Sequence, residues 1–132
     1  MNGQAESREQ AVGSRQEKIR RFEDLIVWQK SHSLVLEIYK TTKHFPDEER
    51  FGLISQMRRA VVSVPANIAE GFKKQTLRDK RNFYNISQGS LEESRYYIIL
   101  SRDLGYIKDN IGLLNATDEI GRMLYGLIKS IK

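Results

Sequence analysis

The densest run of charge in this sequence is KKQTLRDKR, residues 73–81, in which five basic side chains accompany one acidic side chain. The basic residues are Lys73, Lys74, Arg78, Lys80 and Arg81. Lysine and arginine side chains beside the free amides of a helix N-terminus are suited to bind phosphate groups. The same cluster can also serve only to keep a surface soluble, and the sequence leaves both interpretations open. A phosphate-binding surface could extend to Arg58 and Arg59.

A second basic run lies near the N-terminus and consists of Arg15, Lys18, Arg20 and Arg21. The formal net charge of the chain is +5, and residues 82–132 carry six charges of each sign, so that the whole excess lies in residues 1–81. No motif that reads base edges is visible in the sequence. Nucleic-acid binding would therefore be directed at the phosphate backbone or at shape.

The residue types that usually carry catalysis or metal binding are few. There is no cysteine, which excludes disulfides, thiolate nucleophiles and zinc–thiolate sites. Di-iron sites in helical bundles need Glu-x-x-His pairs, but Gln29 stands three residues before His32 and Thr41 stands three before His44. A helical class of nucleases has an arginine four to six residues before a histidine, and that motif is missing too. Since no glycine-rich phosphate loop occurs either, we expect no enzymatic activity, no metal and no cofactor.

The N-terminal residues differ in composition from the remainder of the chain. Residues 1–21 are rich in Gln, Glu, Ser, Gly and Arg and hold few residues able to pack, which predicts a disordered tail before one folded domain over 22–132. This stretch lacks the apolar core of a signal peptide, and no later segment reaches the roughly eighteen apolar residues of a membrane span. Together with the lack of cysteine, this predicts a cytoplasmic protein.

From Phe22 onward, apolar residues recur at steps of three and four, the spacing of helices that bury one face. Capping and breaking residues divide this pattern into four predicted helices, which cover about 23–44, a segment from the Asp47 cap to Glu70, about 77–104, and a segment from Asp109 or Asn110 to the C-terminus. Gly71 is expected to close the second helix in a left-handed conformation, and Gly105 is expected to end the third. Helices joined by loops this short must run antiparallel. The sequence therefore predicts an all-α, up-down-up-down four-helix bundle.

Large and small residues alternate along the third predicted helix. Every seventh residue is large at Leu77, Tyr84, Leu91 and Ile98, and every seventh is small at Ser87, Ser94 and Ser101. Small side chains allow a neighbouring helix to approach closely. On this pattern Leu77 belongs to the core, so Leu77→Gln should damage the fold.

Pro65 lies inside the second predicted helix, within SQMRRAVVSVPANIAEG (residues 55–71). Helical periodicity continues on both sides of it, so a bent helix is a better interpretation than a strand. Proline removes one amide donor and crowds the carbonyl four residues before it, at a local cost of about 3 kcal/mol. A bend there would either wrap the second helix around the core or aim the segment from Asn67 to Gly71 at another surface. The second possibility makes Pro65, Asn67 and Gly71 candidate assembly residues.

Three segments are informative together: FEDLIVWQKSHSLVLEIYK (22–40), RFGLISQMRRAVVSVPANIAEG (50–71) and ISQGSLEESRYYIILSRDLGYI (86–107). In this order they resemble the bacterial four-helix bundle proteins encoded by intervening sequences inside 23S (large-subunit) ribosomal RNA genes. That family is sometimes labelled as a ribosomal protein and is related to the accessory variability protein of diversity-generating retroelements. The resemblance covers about residues 22–131.

The resemblance implies a homopentameric barrel with a basic surface that binds nucleic acid. In the retroelement relatives, the barrel also binds a reverse transcriptase. It implies no enzymatic activity, and Pro65 is usual in the family. We therefore predict a non-enzymatic homo-oligomer that binds structured RNA or DNA, with RNA favoured. The alternative is a scaffold for a protein partner such as a retroelement reverse transcriptase, and a third possibility is an RNA-processing enzyme.

Overall fold

The computed structural model describes residues 18–131, and this part of the chain is all-helical and contains no strand. Four α-helices make up most of it: α1 (Ile26–Thr42), α2 (Leu53–Lys73), α3 (Leu77–Asp103) and α4 (Ile111–Ser130). Short 3₁₀ turns at Phe22–Asp24 and Asp47–Glu49 precede α1 and α2. The predicted all-α class with four helices is confirmed. Of the predicted tail over 1–21, residues 1–17 lie outside the described part, and so does Arg15.

Side-chain contacts show that successive helices run in opposite directions. Arg58 in the second turn of α2 contacts Thr42 at the end of α1, and Arg81 in the second turn of α3 contacts Ile131 just after α4. The bundle therefore has one end at which α1 and α3 begin and α2 and α4 end. The opposite end holds the α1–α2 and α3–α4 connections. No helix within residues 18–131 is long and apolar enough to cross a membrane.

The first turns of α1 and α2 differ from the sequence-based boundaries because local acidic side chains bind backbone amides there. The carboxylate of Asp24 accepts hydrogen bonds from the amides of Arg20 and Arg21 at 2.9 and 3.1 Å, which lower its pKa and hold a separate 3₁₀ turn. Gly52, rather than Asp47, is the N-cap residue of α2, and Oε1 of Glu49 accepts a hydrogen bond from the first helical amide, that of Leu53, at 3.0 Å. α2 consequently begins several residues later than predicted.

The prediction that Gly71 ends the second helix in a left-handed conformation is wrong. α2 continues to Lys73, and Gly105 is the only residue with positive φ within residues 18–131. A β-carbon at Gly71 would lie 2.6 Å from Cε1 of the buried Tyr84. Glycine is thus required here by the close approach of α3, not by backbone conformation. Gly105 does follow α3 with φ of 83°, as predicted.

The core is built on the face of α3 that carries the seven-residue alternation. Tyr84, Leu91 and Ile98 are buried there, and the three serines between them, Ser87, Ser94 and Ser101, are buried as well. Ser87 donates a hydrogen bond from Oγ to the carbonyl of Val64 at 2.7 Å, so a polar residue is tolerated where α2 and α3 meet closely. Leu77 is different from the rest of the pattern, because it is the first residue of α3 and is 40% exposed. The expectation that Leu77→Gln damages the fold is therefore not supported.

Pro65 is buried within α2, and the helix continues through it without interruption. The strand interpretation is thereby excluded. Nearby carbonyls accept hydrogen bonds from side chains: Asn67 donates from Nδ2 to the carbonyl of Ser63 at 2.8 Å, and Ser87 donates to that of Val64. Polar side chains thus support the helix around the residue that lacks an amide proton. The role of Pro65, Asn67 and Gly71 in assembly stays a prediction.

Candidate nucleic-acid interface

The net charge of the described residues is confined to the end of the bundle where α1 and α3 begin and α2 and α4 end. This end carries nine basic and four acidic side chains, whereas the rest of residues 18–131 carries ten of each sign. We call it the basic end, and its basic residues are Lys18, Arg20, Arg21, Lys73, Lys74, Arg78, Lys80, Arg81 and Lys129. Its acidic residues are Glu23, Asp24, Glu70 and Asp79. The fold therefore concentrates in one place a charge that the sequence distributes over more than a hundred residues.

A groove of about 540 Å³ lies at the basic end, between the segment before α1 and the last turns of α2. The two basic runs of the sequence meet there, because Arg20 and Arg21 line it together with Lys73 and Lys74. The half-buried rings of Phe22 and Phe72 line it as well, and the remaining residues are Glu23, Ala69 and Glu70. We call this site the basic groove.

Lys80 has a structural role at the basic end. Its Nζ donates hydrogen bonds to the carbonyls of Phe72 at 2.7 Å and Gly71 at 3.3 Å. The last carbonyls of a helix have no amide partner inside the helix, and a lysine near them compensates both the missing hydrogen bonds and the negative end of the helix dipole. Desolvation lowers the pKa of Lys80. This lysine is thus engaged in holding the end of α2.

Two further predicted phosphate-binding residues also contact helix ends. Arg81 donates from Nη2 to the carbonyl of Ile131 at 3.2 Å, just after α4. Arg58 donates from Nε to Oγ1 of Thr42 at 2.9 Å and from Nη2 to the carbonyl of Tyr39 at 3.3 Å, and its guanidinium lies 4.5 Å from the Tyr39 ring centroid. Arg58 therefore ties α2 to the last turn of α1.

The other predicted binding residues fall into two places. Lys73 and Arg78 are exposed at the basic end, and Lys74 is half-buried beside them with Nζ 5.0 Å from the Phe83 ring centroid. Arg59 is exposed on α2 but precedes Lys73 by fourteen residues, or about 21 Å of helix at 1.5 Å per residue. The structure thus brings together the cluster over 73–81 and leaves Arg58 and Arg59 apart from it.

Sequence reasoning did not identify Phe22 and Phe72 as site residues. A signal was present, since one phenylalanine adjoins each basic pair, in RRF at residues 20–22 and in FKK at residues 72–74. Each phenylalanine also fits the apolar pattern of a helix, which is why a packing role was the simpler interpretation. Only the fold shows that both rings line one groove.

The described residues contain no cluster of three or more histidine, aspartate or glutamate side chains suited to hold a metal ion. His32 is exposed and stacks on Trp28, with ring centroids 5.1 Å apart and planes at 11°. It lies on α1 in an aromatic row that continues to Phe22. The stacking on Trp28 gives His32 a packing contact. It does not identify a side chain that could exchange a proton with His32.

Comparisons with known proteins identify relatives of this chain. A family model described as the 23S rRNA-intervening sequence protein matches residues 23–126. A similar solved structure is that of a protein of unknown function from the S23 ribosomal protein family of Bacteroides thetaiotaomicron. It is 28% identical in sequence with a TM-score of 0.73, and the match covers 79% of this chain and 96% of that chain. Among curated proteins, none shows significant similarity.

Proposed function

Because this chain belongs to the 23S rRNA-intervening sequence protein family, we propose that it is a non-enzymatic, homo-oligomeric bundle that binds structured RNA or DNA through its basic end. The match of the family model to residues 23–126 confirms, at the level of the family, the resemblance seen over about residues 22–131. The relation to the retroelement accessory variability protein stays a prediction. The link of the family to ribosomal RNA intervening sequences favours RNA as the partner.

The observation that carries this proposal is the confinement of net charge to the basic end. A surface with nine basic and four acidic side chains attracts a polyanion, whereas the balanced charges elsewhere on residues 18–131 do not. Binding of cations to phosphates releases condensed counterions and supplies most of the affinity of sequence-independent recognition. The basic end is thus the surface that a nucleic acid would approach.

Within the basic end, we assign the phosphate contacts to residues whose charged groups are not held at helix ends. Lys73 and Arg78 are exposed, and Lys74 lies beside them. Arg20 and Arg21 face the same groove as Lys73 and Lys74. Lys80 and Arg81 add to the positive field, but they donate hydrogen bonds to backbone carbonyls.

A charge-matched pair of triple variants tests this function. Lys73→Gln, Lys74→Gln and Arg78→Gln together should weaken binding to all sequences alike, because these contacts are made to the backbone. Each lost phosphate contact should flatten the slope of log affinity against log salt by about 0.7 to 0.9. The control variant removes three exposed cations from the opposite end, at Lys43, Arg102 and Lys108.

Fluorescence anisotropy with labelled RNA and DNA over a salt series measures both affinity and slope. The control variant should retain the salt slope of the wild-type protein and nearly all of its affinity. If the basic-end variant binds as the wild-type protein does across the series, the cluster only keeps the surface soluble.

The alternative function, a scaffold for a protein partner such as a retroelement reverse transcriptase, is favoured by exposed apolar side chains on α3. Tyr96 and Ile99 lie one turn apart and expose 56% and 39% of their surface. Adjacent exposed apolar residues of this kind commonly mark sites at which another protein binds. Binding to such a partner should persist in the basic-end triple variant, which distinguishes this alternative from nucleic-acid binding.

A further inference from the structure

The basic groove places two similar tripeptides side by side. Arg20, Arg21 and Phe22 precede α1, and Phe72, Lys73 and Lys74 end α2, and all six residues line the groove. Each tripeptide supplies one aromatic ring and two cations. Fifty residues separate Phe22 from Phe72 in the chain, so this pairing is a product of the fold. It combines two recognition elements, a flat apolar surface and positive charge, within one small site.

We propose that the basic groove holds an unpaired nucleotide, with its base on the phenylalanine rings and its phosphates on the neighbouring cations. This inference rests on the proposed function and narrows the target to single-stranded segments of RNA or DNA. Proteins that bind single strands combine a positive groove with aromatic rings on which bases stack. In a duplex the bases are already stacked on one another, so a duplex could use only the cations.

The size and rigidity of the groove suit such a ligand. Its volume of about 540 Å³ falls within the usual range for small-ligand sites, about 300 to 1,000 Å³. The Phe22 ring packs against Trp28 at 5.2 Å between centroids, and Nζ of Lys80 lies 5.6 Å from the centroid of the Phe72 ring. Since both phenylalanines are held in place, little ordering is needed when a base binds.

Two carboxylates limit what else the groove can accept. Glu23 and Glu70 line it together with the four cations. The groove therefore has a modest excess of positive charge and is not a strong anion-binding site. Carboxylates repel additional phosphates but accept hydrogen bonds from base amino groups and ribose hydroxyls. The carbonyl end of α2 also disfavours an anion, and Lys80 offsets this effect. A nucleotide fits this mixture better than a purely acidic peptide does.

The test compares Phe22→Leu and Phe72→Leu with the wild-type protein, because leucine keeps apolar bulk and removes the ring. Phe51→Leu is the control, since Phe51 is 89% exposed and lies in the α1–α2 connection at the opposite end. The probes are a single-stranded RNA oligonucleotide, the same strand with abasic sites, and its matched duplex. Anisotropy gives the affinities. The fluorescence of Trp28, the single tryptophan of the chain, reports on changes at the neighbouring Phe22 ring.

We expect the wild-type protein to bind the intact single strand more tightly than the duplex or the abasic strand. Each groove variant should lose about tenfold in affinity for the single strand, with unchanged duplex binding and an unchanged salt slope. The Phe51 variant should bind all probes like the wild-type protein. Single-strand binding should alter Trp28 fluorescence in the wild-type protein, and the abasic strand should not.

The possible failures are distinguishable. If both groove variants bind the single strand as the wild-type protein does, or if the duplex binds more tightly, the stacking proposal is wrong while the proposed function stands. If the wild-type protein binds none of the probes, the proposed function fails as well. Competition by poly-glutamate as effective as that by the single strand would also overturn the nucleotide assignment. If Phe72→Leu does not fold, Phe22→Leu, outside the four α-helices, decides the question.

Discussion

Lys73 and Lys80 belong to one basic cluster, but their ammonium groups have different surroundings. Lys73 is exposed in the last turn of α2, while Lys80 is half-buried and donates to two carbonyls at the end of that helix. The carbonyl of Gly71 also accepts a hydrogen bond from the amide of Lys74 at 3.2 Å, so the bond from the charged Lys80 to the carbonyl of Phe72 is expected to stabilise the folded state most. Replacing Lys80 should therefore lower the stability of the folded protein more than replacing Lys73, although both lysines carry the same charge.

We predict that Lys80→Met lowers the free energy of unfolding by about 1–2 kcal/mol, because it leaves the carbonyls of Gly71 and Phe72 without this donor. Lys73→Met, which removes the same charge, should change stability by less than about 0.5 kcal/mol. Urea unfolding followed by circular dichroism measures both. Equal stabilities of the two variants would show that the Lys80 contacts contribute nothing.

Gly71 and Gly89 are both inside helices, but only one of them has a close neighbour. A β-carbon at Gly71 would lie 2.6 Å from Cε1 and 2.9 Å from Cδ1 of Tyr84, whereas one at Gly89 would meet nothing within 4 Å. The aromatic ring of Tyr84 is buried, and its burial raises the pKa of the Tyr84 hydroxyl to about 12. The ring cannot move away from Gly71 without disturbing the core.

Gly71→Ala should therefore destabilise the protein by about 1–3 kcal/mol through overpacking. Gly89→Ala should stabilise it by about 0.5–1 kcal/mol, since alanine restricts the unfolded chain and favours the helix. Thermal unfolding of the two variants beside the wild-type protein tests both signs. A stabilising effect of Gly71→Ala would mean that α2 and α3 can separate at little cost.

At the scale of the elements, half-buried polar side chains form hydrogen bonds along the seam between α2 and α3. Ser90 donates from Oγ to Oγ of Ser63 at 2.8 Å, and Asn67 donates to the same oxygen at 2.9 Å. These bonds surround Pro65, which removes an amide donor from α2. The seam therefore holds α2 in one conformation at the residue where its own hydrogen-bond ladder is incomplete.

We predict that Pro65→Ala leaves helix content unchanged or slightly raised, because alanine restores an amide and favours a helix. If the proline bends α2 for assembly, the same variant should weaken the oligomer. Pro46→Ala is the control, since it changes the only other proline of the chain and Pro46 lies before the second 3₁₀ turn. Sedimentation at several concentrations reports the assembly, and equal association of all three proteins would confine the role of Pro65 to the monomer.

At the scale of the whole molecule, the excess charge and the exposed apolar pair on α3 lie in different regions. The excess charge lies at the basic end, where α3 begins, while Tyr96 and Ile99 are exposed near the C-terminal end of α3. Contacts between copies along the sides of the bundles would leave the basic ends free. In a ring with bundles parallel to the symmetry axis, these ends would share one face and reinforce one another's field.

We therefore predict a homo-oligomer, and the resemblance noted in the sequence implies five chains of 15.4 kDa each. Light scattering at micromolar concentration should give a mass several times that of one chain. Tyr96→Lys combined with Ile99→Lys should reduce this mass without loss of helix content, because charge opposes burial of the contact. A mass equal to one chain for the wild-type protein would contradict the prediction.

The four helices, their order and the stripe of α3 that enters the core were predictable from the sequence. Periodicity is a local property: Tyr84, Leu91 and Ile98 share a face of any helix that contains them, whatever lies opposite. The end of α3 at Gly105 was predictable for the same reason, since the turn is formed by neighbouring residues. The family could also be recognised, because the three segments that carry the resemblance are long and ordered.

The partners across the bundle were decided by the tertiary structure. A sequence does not show whether a glycine is needed for its backbone conformation or for its missing β-carbon. At Gly71 the close approach of Tyr84 shows that the missing β-carbon is what matters. In the sequence, Lys80 and Lys73 are equally plausible phosphate-binding residues. The structure shows that backbone carbonyls lie near Lys80. The basic groove depends on bringing Phe22 beside Phe72, fifty residues away. Such contacts follow from the packing of helices that are distant in the sequence. Local periodicity indicates which face of each helix is buried, but it does not indicate which residues of two helices meet.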